Sequence, residues 1–187
     1  KRKKIGIILI AVGAVMLITA AAIAGYNISL QSKAEKASDE IVSEIRQIYN
    51  IPALDEEIPI KNENDMPDFE AMTESALPDA VISALEDKKT VSIKNSTYTG
   101  VLQIIPLGIE LPEAKKFSYA GLKSTPCRYI GTAEDKNLVI CAHNYSSHFG
   151  GINKLVNGDM IRFIGFDNTV HSYSVESIEV IAPTDIE

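Results

Sequence analysis

The chain has 187 residues, a net charge of −7 at pH 7 and 45% hydrophobic residues. Four of its 18 basic residues lie at positions 1–4, which leaves 14 basic against 25 acidic residues, a net −11, in the remainder. Such an acidic excess repels phosphate backbones, so the composition argues against nucleic-acid binding. The length allows one domain with appended segments.

An uncharged apolar run from Ile5 to Gly25 follows the basic tail Lys1–Lys4. As a helix the run would extend about 30 Å, the thickness of the hydrocarbon core of a bilayer. We therefore expect a single membrane span, with the N-terminus in the cytoplasm and the rest of the chain outside the cell. The small residues Thr19–Ala24 leave a cleaved signal peptide as the alternative, although the apolar run of a signal peptide is usually shorter, about 7–15 residues.

Residues 26–88 are predicted to form a helical stalk and an acidic linker. Apolar residues recur at helical spacing in a predicted amphipathic helix over 33–50, at Ala37, Ile41, Ile45 and Ile48. Residues 51–76 are acidic and interrupted by prolines, which is typical of a linker. A short helix is expected over 77–87.

From residue 89 onward the pattern favours short strands, which predicts a small barrel that is closed or nearly so. Strands are expected over 90–94, 100–105, 107–111, 137–143 and 160–164, and from His171 onward. The apolar residues after His171 change face between Val175 and Ile178, which predicts a β-bulge near Glu176–Ser177.

A helix is predicted after the strand over 137–143. Ser146 or Ser147 would cap it and it would run to about Val156, although two glycines weaken it. Its expected buried side consists of Phe149, Ile152, Leu155 and Val156.

His143 is the candidate catalytic residue. It lies at the end of the predicted strand over 137–143, where an imidazole can face a cleft and move a proton. A strand-end histidine that only binds backbone groups would look the same, so His143 alone does not define a site.

The residues around His143 resemble the histidine segment of sortases, the transpeptidases that attach proteins to Gram-positive cell walls. Three motifs of this chain occur in the same order and at the same spacing as in that segment of sortases: Val139–Asn144, Phe149–Ile152 and Gly158–Asp159. Upstream, Ile104–Pro112 and Cys127–Gly131 resemble elements that precede the histidine strand in that family. The resemblance extends from about Tyr98 to Glu187 and implies a mainly β, sortase-like barrel over 89–187, of which only the N-terminal part is present.

The resemblance also implies a cysteine transpeptidase. In sortases, a Cys at the end of a later strand attacks the Thr carbonyl of an LPXTG-like sorting signal, and an amine of peptidoglycan or of a pilin resolves the thioester. His143 corresponds to the catalytic histidine, which protonates the leaving amine and deprotonates the incoming one. The implied partners are sorting-signal proteins and the acceptor amine, and no cofactor is implied.

The family's nucleophilic Cys and its Arg lie beyond Glu187, so we expect the chain shown to have no transpeptidase activity. One alternative is a non-catalytic, membrane-anchored β-barrel that binds wall peptides or a protein partner. Another is a hydrolase that uses Cys141 with His143, which share one strand face. Neither Cys141 nor Cys127 follows the Thr-Leu-x-Thr-like pattern of the family's nucleophile. Arg128 and Arg162 also lie outside the family's Arg position and are expected to be solvated or paired.

Four further features have open interpretations. Cys127 and Cys141 either form a disulfide, if the domain is extracellular, or remain two half-buried thiols. His148 is expected to shape the cleft or cap the helix, since a helical zinc pair needs i, i+4 spacing and no third ligand is apparent. His171 is expected to be exposed. Met66–Phe69 has residues of a pilin-sortase lid in another order, and we interpret it as linker, with a lid as the alternative.

Overall fold

The computed structural model describes residues 2–56 and 89–182. Its first element is one helix, α1, from Arg2 to Ile48. The apolar run forms its N-terminal half and is not buried against the rest of the protein, so α1 is a candidate membrane span by length and composition. The helix predicted over 33–50 is the C-terminal part of α1, because α1 continues without a break past residue 25. The proposed boundary between anchor and stalk remains a prediction.

Seven strands follow α1 and form one sheet. They are β1 (Val91–Ile93), β2 (Ser96–Ile104), β3 (Ile109–Ala114), β4 (Cys127–Ile130), β5 (Val139–Cys141), β6 (Met160–Gly165) and β7 (Val170–Ser174). Short 3₁₀ helices connect some of them, over Ile105–Leu107, Gly121–Lys123 and Phe149–Lys154. The predicted mainly β fold behind an apolar helix is therefore confirmed.

The strand order is β5-β4-β3-β2-β6-β7, with β1 paired to β2. Neighbouring strands are antiparallel, except that β3 and β4 run parallel and meet at the single register pair Ala114 and Cys127. The sheet curls into an open half-barrel. Within the described residues, β5 and β7 end this row of strands, and β1 is a further outer strand that pairs only with β2.

The sheet has two apolar faces, because successive residues of a strand point to opposite sides. On one face, Val101 of β2 packs in a buried cluster with Ile45 of α1. On the other, Leu102 and Ile104 form a second cluster with Leu155, which directly follows the third 3₁₀ helix. The helix α1 thus covers one face, and the 149–155 segment covers part of the other.

The stripe of α1 that contacts the sheet differs partly from the predicted one. Ile41 and Ile45 are buried as predicted, but Ile48 is 60% exposed. The reason is that α1 ends at Ile48, and Ile51 enters the core instead, with 7% of its surface exposed. The part of α1 after residue 33 is therefore docked on the domain and is more than a stalk.

Three predicted strand ends were wrong because strands end where their partners end. The strand expected over 137–143 is β5, which ends at Cys141, opposite Cys127, the first residue of β4. The last strand, β7, ends at Ser174, opposite Met160, the first residue of β6. The bulge expected near Glu176–Ser177 is absent, since residues 175–182 form no strand. The third strand, β3, continues through Pro112 to Ala114. Pro112 is tolerated because β3 pairs with β4 only at Ala114, so at Pro112 it is an edge strand on that side.

The segment after the histidine strand also differs from its prediction. It forms a 3₁₀ helix over Phe149–Lys154 instead of an α-helix from Ser146 or Ser147 to Val156. Of the four residues expected on its buried side, Leu155 is buried and Phe149 half-buried, whereas the other two, Ile152 and Val156, are 37% and 63% exposed. The predicted linker helix over 77–87 and the Met66–Phe69 segment lie outside the described residues.

The packing of α1 on the sheet can be tested by comparing the stability of a variant at a buried position of the helix with that of a variant at an exposed position. Ile45 is fully buried between α1 and the sheet, so Ile45→Ala leaves a cavity and should lower the free energy of unfolding by about 2–5 kcal/mol. Ile48→Ala, three residues later on an exposed side, should change it by less than about 0.5 kcal/mol. Urea unfolding of the full chain in detergent, followed by tyrosine fluorescence, measures both. Equal costs would mean that α1 does not pack on the sheet.

Candidate active site

His143 lies two residues beyond the end of β5, where the chain leaves the sheet. Its side chain is half-buried, and its ring stacks on Tyr145 with ring centroids 3.9 Å apart and planes inclined by 10°. Tyr145 is itself buried, with 6% of its surface exposed. The imidazole is therefore held against a fixed aromatic surface, which limits its rotation.

The backbone around His143 forms a tight loop, residues 143–150, which we call the histidine loop. The amides of His148 and Gly150 both donate to the Tyr145 carbonyl at 2.9 Å, and the Phe149 amide donates to the His143 carbonyl at 3.2 Å. A β-carbon at Gly150 would lie 2.5 Å from the carbonyl oxygen of Asn144. Glycine is therefore required at position 150 for the loop to close this tightly.

His148 anchors the loop to α1. It is fully buried, and its Nε2 lies 3.2 Å from the hydroxyl oxygen of Ser38. That hydroxyl donates its one hydrogen to the carbonyl of Ser124 at 2.9 Å, so it can only accept from His148. We therefore assign a hydrogen to Nε2 of His148. Its side chain makes no capping bond to the 3₁₀ helix, so the predicted capping role was wrong.

Burial, and to a smaller extent the neighbouring His143, lowers the pKa of His148 to about 4. The ring is therefore neutral near pH 7, and its one hydrogen lies on Nε2, where it is donated to Ser38. His148 thus acts within the structure as a buried support for the loop. A second bond links the loop to α1, since the Ser146 hydroxyl donates to Gln31 Oε1 at 3.0 Å.

Both cysteines are free thiols near the histidine loop. Cys127 is fully buried in β4, and Cys141 is half-buried at the end of β5. Burial raises the pKa of both thiols, which disfavours the thiolate that a nucleophile needs. The expectation of two free thiols is met, but Cys127 is fully rather than half-buried.

An apolar groove of about 470 Å³ lies beside the loop. Residues on both sides of His143 in sequence line it: Leu138, Ile140, Phe149 and Ile152. Leu102, Ile104 and Tyr173 are also among its lining residues, so the groove follows the sheet face that α1 leaves uncovered.

The two arginines considered above are both paired. Arg128 donates through Nε to Glu113 Oε1 at 2.8 Å and through Nη2 to Thr99 at 2.9 Å, and the Thr99 hydroxyl donates to the other Glu113 oxygen. Glu113 is fully buried, and burial raises its pKa while Arg128 opposes that shift. Arg162 donates to the backbone carbonyl of Glu56 at 3.0 Å. His171, expected to be exposed, is half-buried and its ring lies 6.4 Å from that of Phe163.

Sequence reasoning missed the residues that support the loop, namely Ser38, Tyr145 and Gly150 in this role. Only Ser38 had a visible signal, because it is a polar residue between Ala34 and Ile41 on the apolar side of an amphipathic helix. Its partner is 110 positions away in sequence, so the pairing itself was not readable.

Comparison with known families decides the class of the domain. Residues 102–187 match the family model of the Sortase domain. These residues are a sortase domain. The match includes His143, both cysteines and strands β3 to β7, and it confirms the resemblance that the sequence motifs indicated.

One solved structure to which the chain is similar is the crystal structure of sortase C1 from Streptococcus agalactiae. The two are 20% identical, with a TM-score of 0.45, and the alignment covers 63% of this chain. The chain spans 61% of the length of that solved chain. No curated protein matches it.

The buried His148 makes folding of the sortase domain pH-dependent. In the unfolded chain, His148 takes up a proton below about pH 6.5, whereas the folded state resists protonation down to a pKa of about 4. Its contribution to stability is complete above about pH 6.5 and is lost as the pH falls toward about 4. We expect the free energy of unfolding to decrease between about pH 7.5 and about pH 5, with a smaller decrease in His148→Gln. His171→Gln is the control and should keep the wild-type slope.

The Ser38–His148 bond can be tested separately. Ser38→Ala leaves the buried Nε2–H of His148 without an acceptor, which should cost about 1–3 kcal/mol of unfolding free energy. Ser43→Ala, at an exposed position of the same helix, should be nearly neutral. Urea unfolding near pH 7.5 compares them, and a neutral Ser38→Ala would refute the assigned role of this hydroxyl.

Proposed function

We propose that this protein is a membrane-anchored sortase, a cysteine transpeptidase that cleaves LPXTG-like sorting signals and joins them to an amine. The observation that carries the proposal is the sortase-domain match over residues 102–187, which contains His143 and the loop that holds it. The candidate span at the N-terminus supports attachment to the membrane.

His143 is proposed to be the acid and base of the reaction. A thiolate attacks the Thr carbonyl of the sorting signal, and His143 gives a proton to the amine that leaves, so that a thioester forms. His143 then takes a proton from the incoming amine of peptidoglycan or of a pilin, which attacks the thioester and releases the thiolate. The stacking on Tyr145 supports this role because it fixes the ring plane at the open end of β5.

The apolar groove is proposed to receive the Leu and Pro side chains of an LPXTG-like peptide. The proposal is supported by the short sequence distance between the groove and His143, since Ile140 and Phe149, which both line it, lie three and six residues from the histidine. Burial of such side chains contributes binding free energy without requiring charged partners, and the groove residues named above are apolar.

Neither cysteine of the chain is proposed to be the nucleophile. Cys127 is fully buried, and burial raises the pKa of Cys141, which therefore favours the neutral thiol. We infer that the 187 residues alone do not turn over a sorting-signal peptide, and that a cysteine in the family's Thr-Leu-x-Thr-like context supplies the thiolate.

The proposed topology places Lys1–Lys4 in the cytoplasm, the run Ile5–Gly25 in the membrane and the sortase domain outside. Basic residues next to a span are retained on the cytoplasmic side, which supports this orientation. The domain then lies on the side of the membrane where surface proteins and cell-wall amines are found.

The test uses the product of the complete reading frame, an LPXTG peptide and a set of amine acceptors, with products followed by mass spectrometry. We expect transpeptidation, and a loss of about 10²–10⁴-fold in kcat/KM in His143→Ala, the usual contribution of a general acid–base residue. His171→Ala should retain activity and serves as the matched histidine control. The 187-residue chain should be inactive.

Three outcomes would contradict the proposal. Binding of sorting peptides or another protein without turnover would favour a non-catalytic barrel. Full activity of His143→Ala would remove the assigned role of this residue. Loss of activity in Cys141→Ser but not in Cys127→Ala, with no loss of folding, would favour a hydrolase that uses Cys141 with His143.

A further inference from the structure

The two cysteines face each other across the β4–β5 pair. Cys127 is the first residue of β4, Cys141 is the last of β5, and the two are register partners in the antiparallel ladder. Directly opposite residues of such a ladder have Cα atoms about 4.5–5.5 Å apart and side chains on the same face. A disulfide requires a Cα separation of about 4.4–6.8 Å. The register therefore brings both thiols within bonding range with no rearrangement of the strands.

We propose that Cys127 and Cys141 form a reversible disulfide that fastens β5, and with it the start of the histidine loop, to the sheet. Within the described residues β5 is a three-residue outer strand that pairs only with β4, and the register shifts between Arg128 and Ile130. The non-covalent attachment of this strand is therefore slight. His143 follows Cys141 by two residues, so a bond at Cys141 would fix the point from which the loop departs.

The surroundings of the two sulfurs decide how the bond would form. Cys127 is fully buried, and its thiol lies 3.6 Å from the Thr125 carbonyl oxygen. Cys141 is half-buried and is therefore the thiol that a soluble oxidant reaches first. Burial raises the pKa of both thiols, so the reaction should be slow in neutral buffer and faster in mildly alkaline buffer.

The chemistry is a thiol–disulfide exchange with a small disulfide compound or a disulfide-form oxidoreductase as the oxidant. The Cys141 thiolate attacks one sulfur of the oxidant and releases one thiol, which gives a mixed disulfide. The Cys127 thiolate then attacks the Cys141 sulfur and releases the second thiol. The protein loses two hydrogen atoms, and the oxidant gains them as two thiols. Disulfides persist outside the cell, so the proposed topology places the domain where the bond would last. The exchange chemistry itself does not depend on that topology.

The first experiment follows this exchange by mass. The reduced full chain in detergent is incubated with oxidised glutathione, quenched with acid, unfolded, alkylated and weighed. We expect the wild type to lose two hydrogens and to carry neither glutathione nor alkyl groups, with one linked peptide pair containing Cys127 and Cys141. Cys127→Ala should instead stop at a mixed disulfide on Cys141. A wild type that retains glutathione on Cys141, or that links two chains, would overturn the proposal.

A second measurement separates native pairing from chance closure of a flexible chain. The equilibrium constant for closure against glutathione is measured in native buffer and in concentrated urea. Because a disulfide that fits the native fold stabilises it, we expect the native constant to exceed the unfolded one by at least about tenfold. A ratio of one or less would mean that the fold does not favour the bond. This result requires no peptidase assay, so it stands or fails independently of the proposed activity.

The proposed effect on the loop is tested by hydrogen exchange. Amides over residues 139–150 should exchange more slowly in the oxidised chain than in the reduced one. The β6–β7 hairpin, which has its own partners on the other side of the sheet, is the internal control and should not change. Unchanged exchange over 139–150 would show that the bond forms without fixing the histidine loop.

Discussion

The packing of α1 on the sheet is the constraint on which the rest of the domain depends. Ile45 is buried completely in this contact. Two turns earlier on α1, Ser38 binds His148, and the residue after Ile45, Arg46, contacts both carboxylate oxygens of Glu110 through Nη2 at 2.8 and 2.9 Å. The apolar contact supplies most of the stabilisation, because the ion pair is partly exposed and such pairs contribute about 0–1 kcal/mol. The two polar contacts determine the position of the helix, since only one position satisfies both.

Sequence periodicity predicted the parts of the fold that depend on local pattern and missed those that depend on a distant partner. The strands around Val101 and Phe163 were predictable because each is a short apolar run that is visible within one segment of the sequence. The end of β7 was not, because it is set by where β6 begins, at Met160. Likewise, Ile48 belonged to the apolar stripe by spacing, yet the chain turns away after it and Ile51 takes its place in the core.

The site shows the same division. His143 was found through motifs that are contiguous in sequence, and its segment was matched to the sortase family. The supports of His143 come from elsewhere: Tyr145 lies beneath its ring, and the buried His148 depends on a hydroxyl of α1. The sequence left the pairing of the cysteines open because it depends on the β4–β5 register, which shifts within four residues. The ion pair between Glu113 and Arg128 could likewise not be predicted from the sequence, because it depends on how β3 and β4 are aligned.

Because α1 is continuous, it also sets the distance between the candidate membrane span and the histidine loop. Gln31, which holds Ser146 of the histidine loop, follows the end of the apolar run at Gly25 by six residues, a rise of about 9 Å along a helix. With Ile5–Gly25 in the bilayer, the histidine loop would lie among or just above the lipid headgroups. The unbroken helix would keep the loop at that distance. Under the proposed function, a sorting-signal peptide still attached to the membrane would reach His143 with only a few extended residues, at about 3.3 Å each. Under the same proposal, a peptide released into the outer wall would have to return to the lipid surface to reach His143.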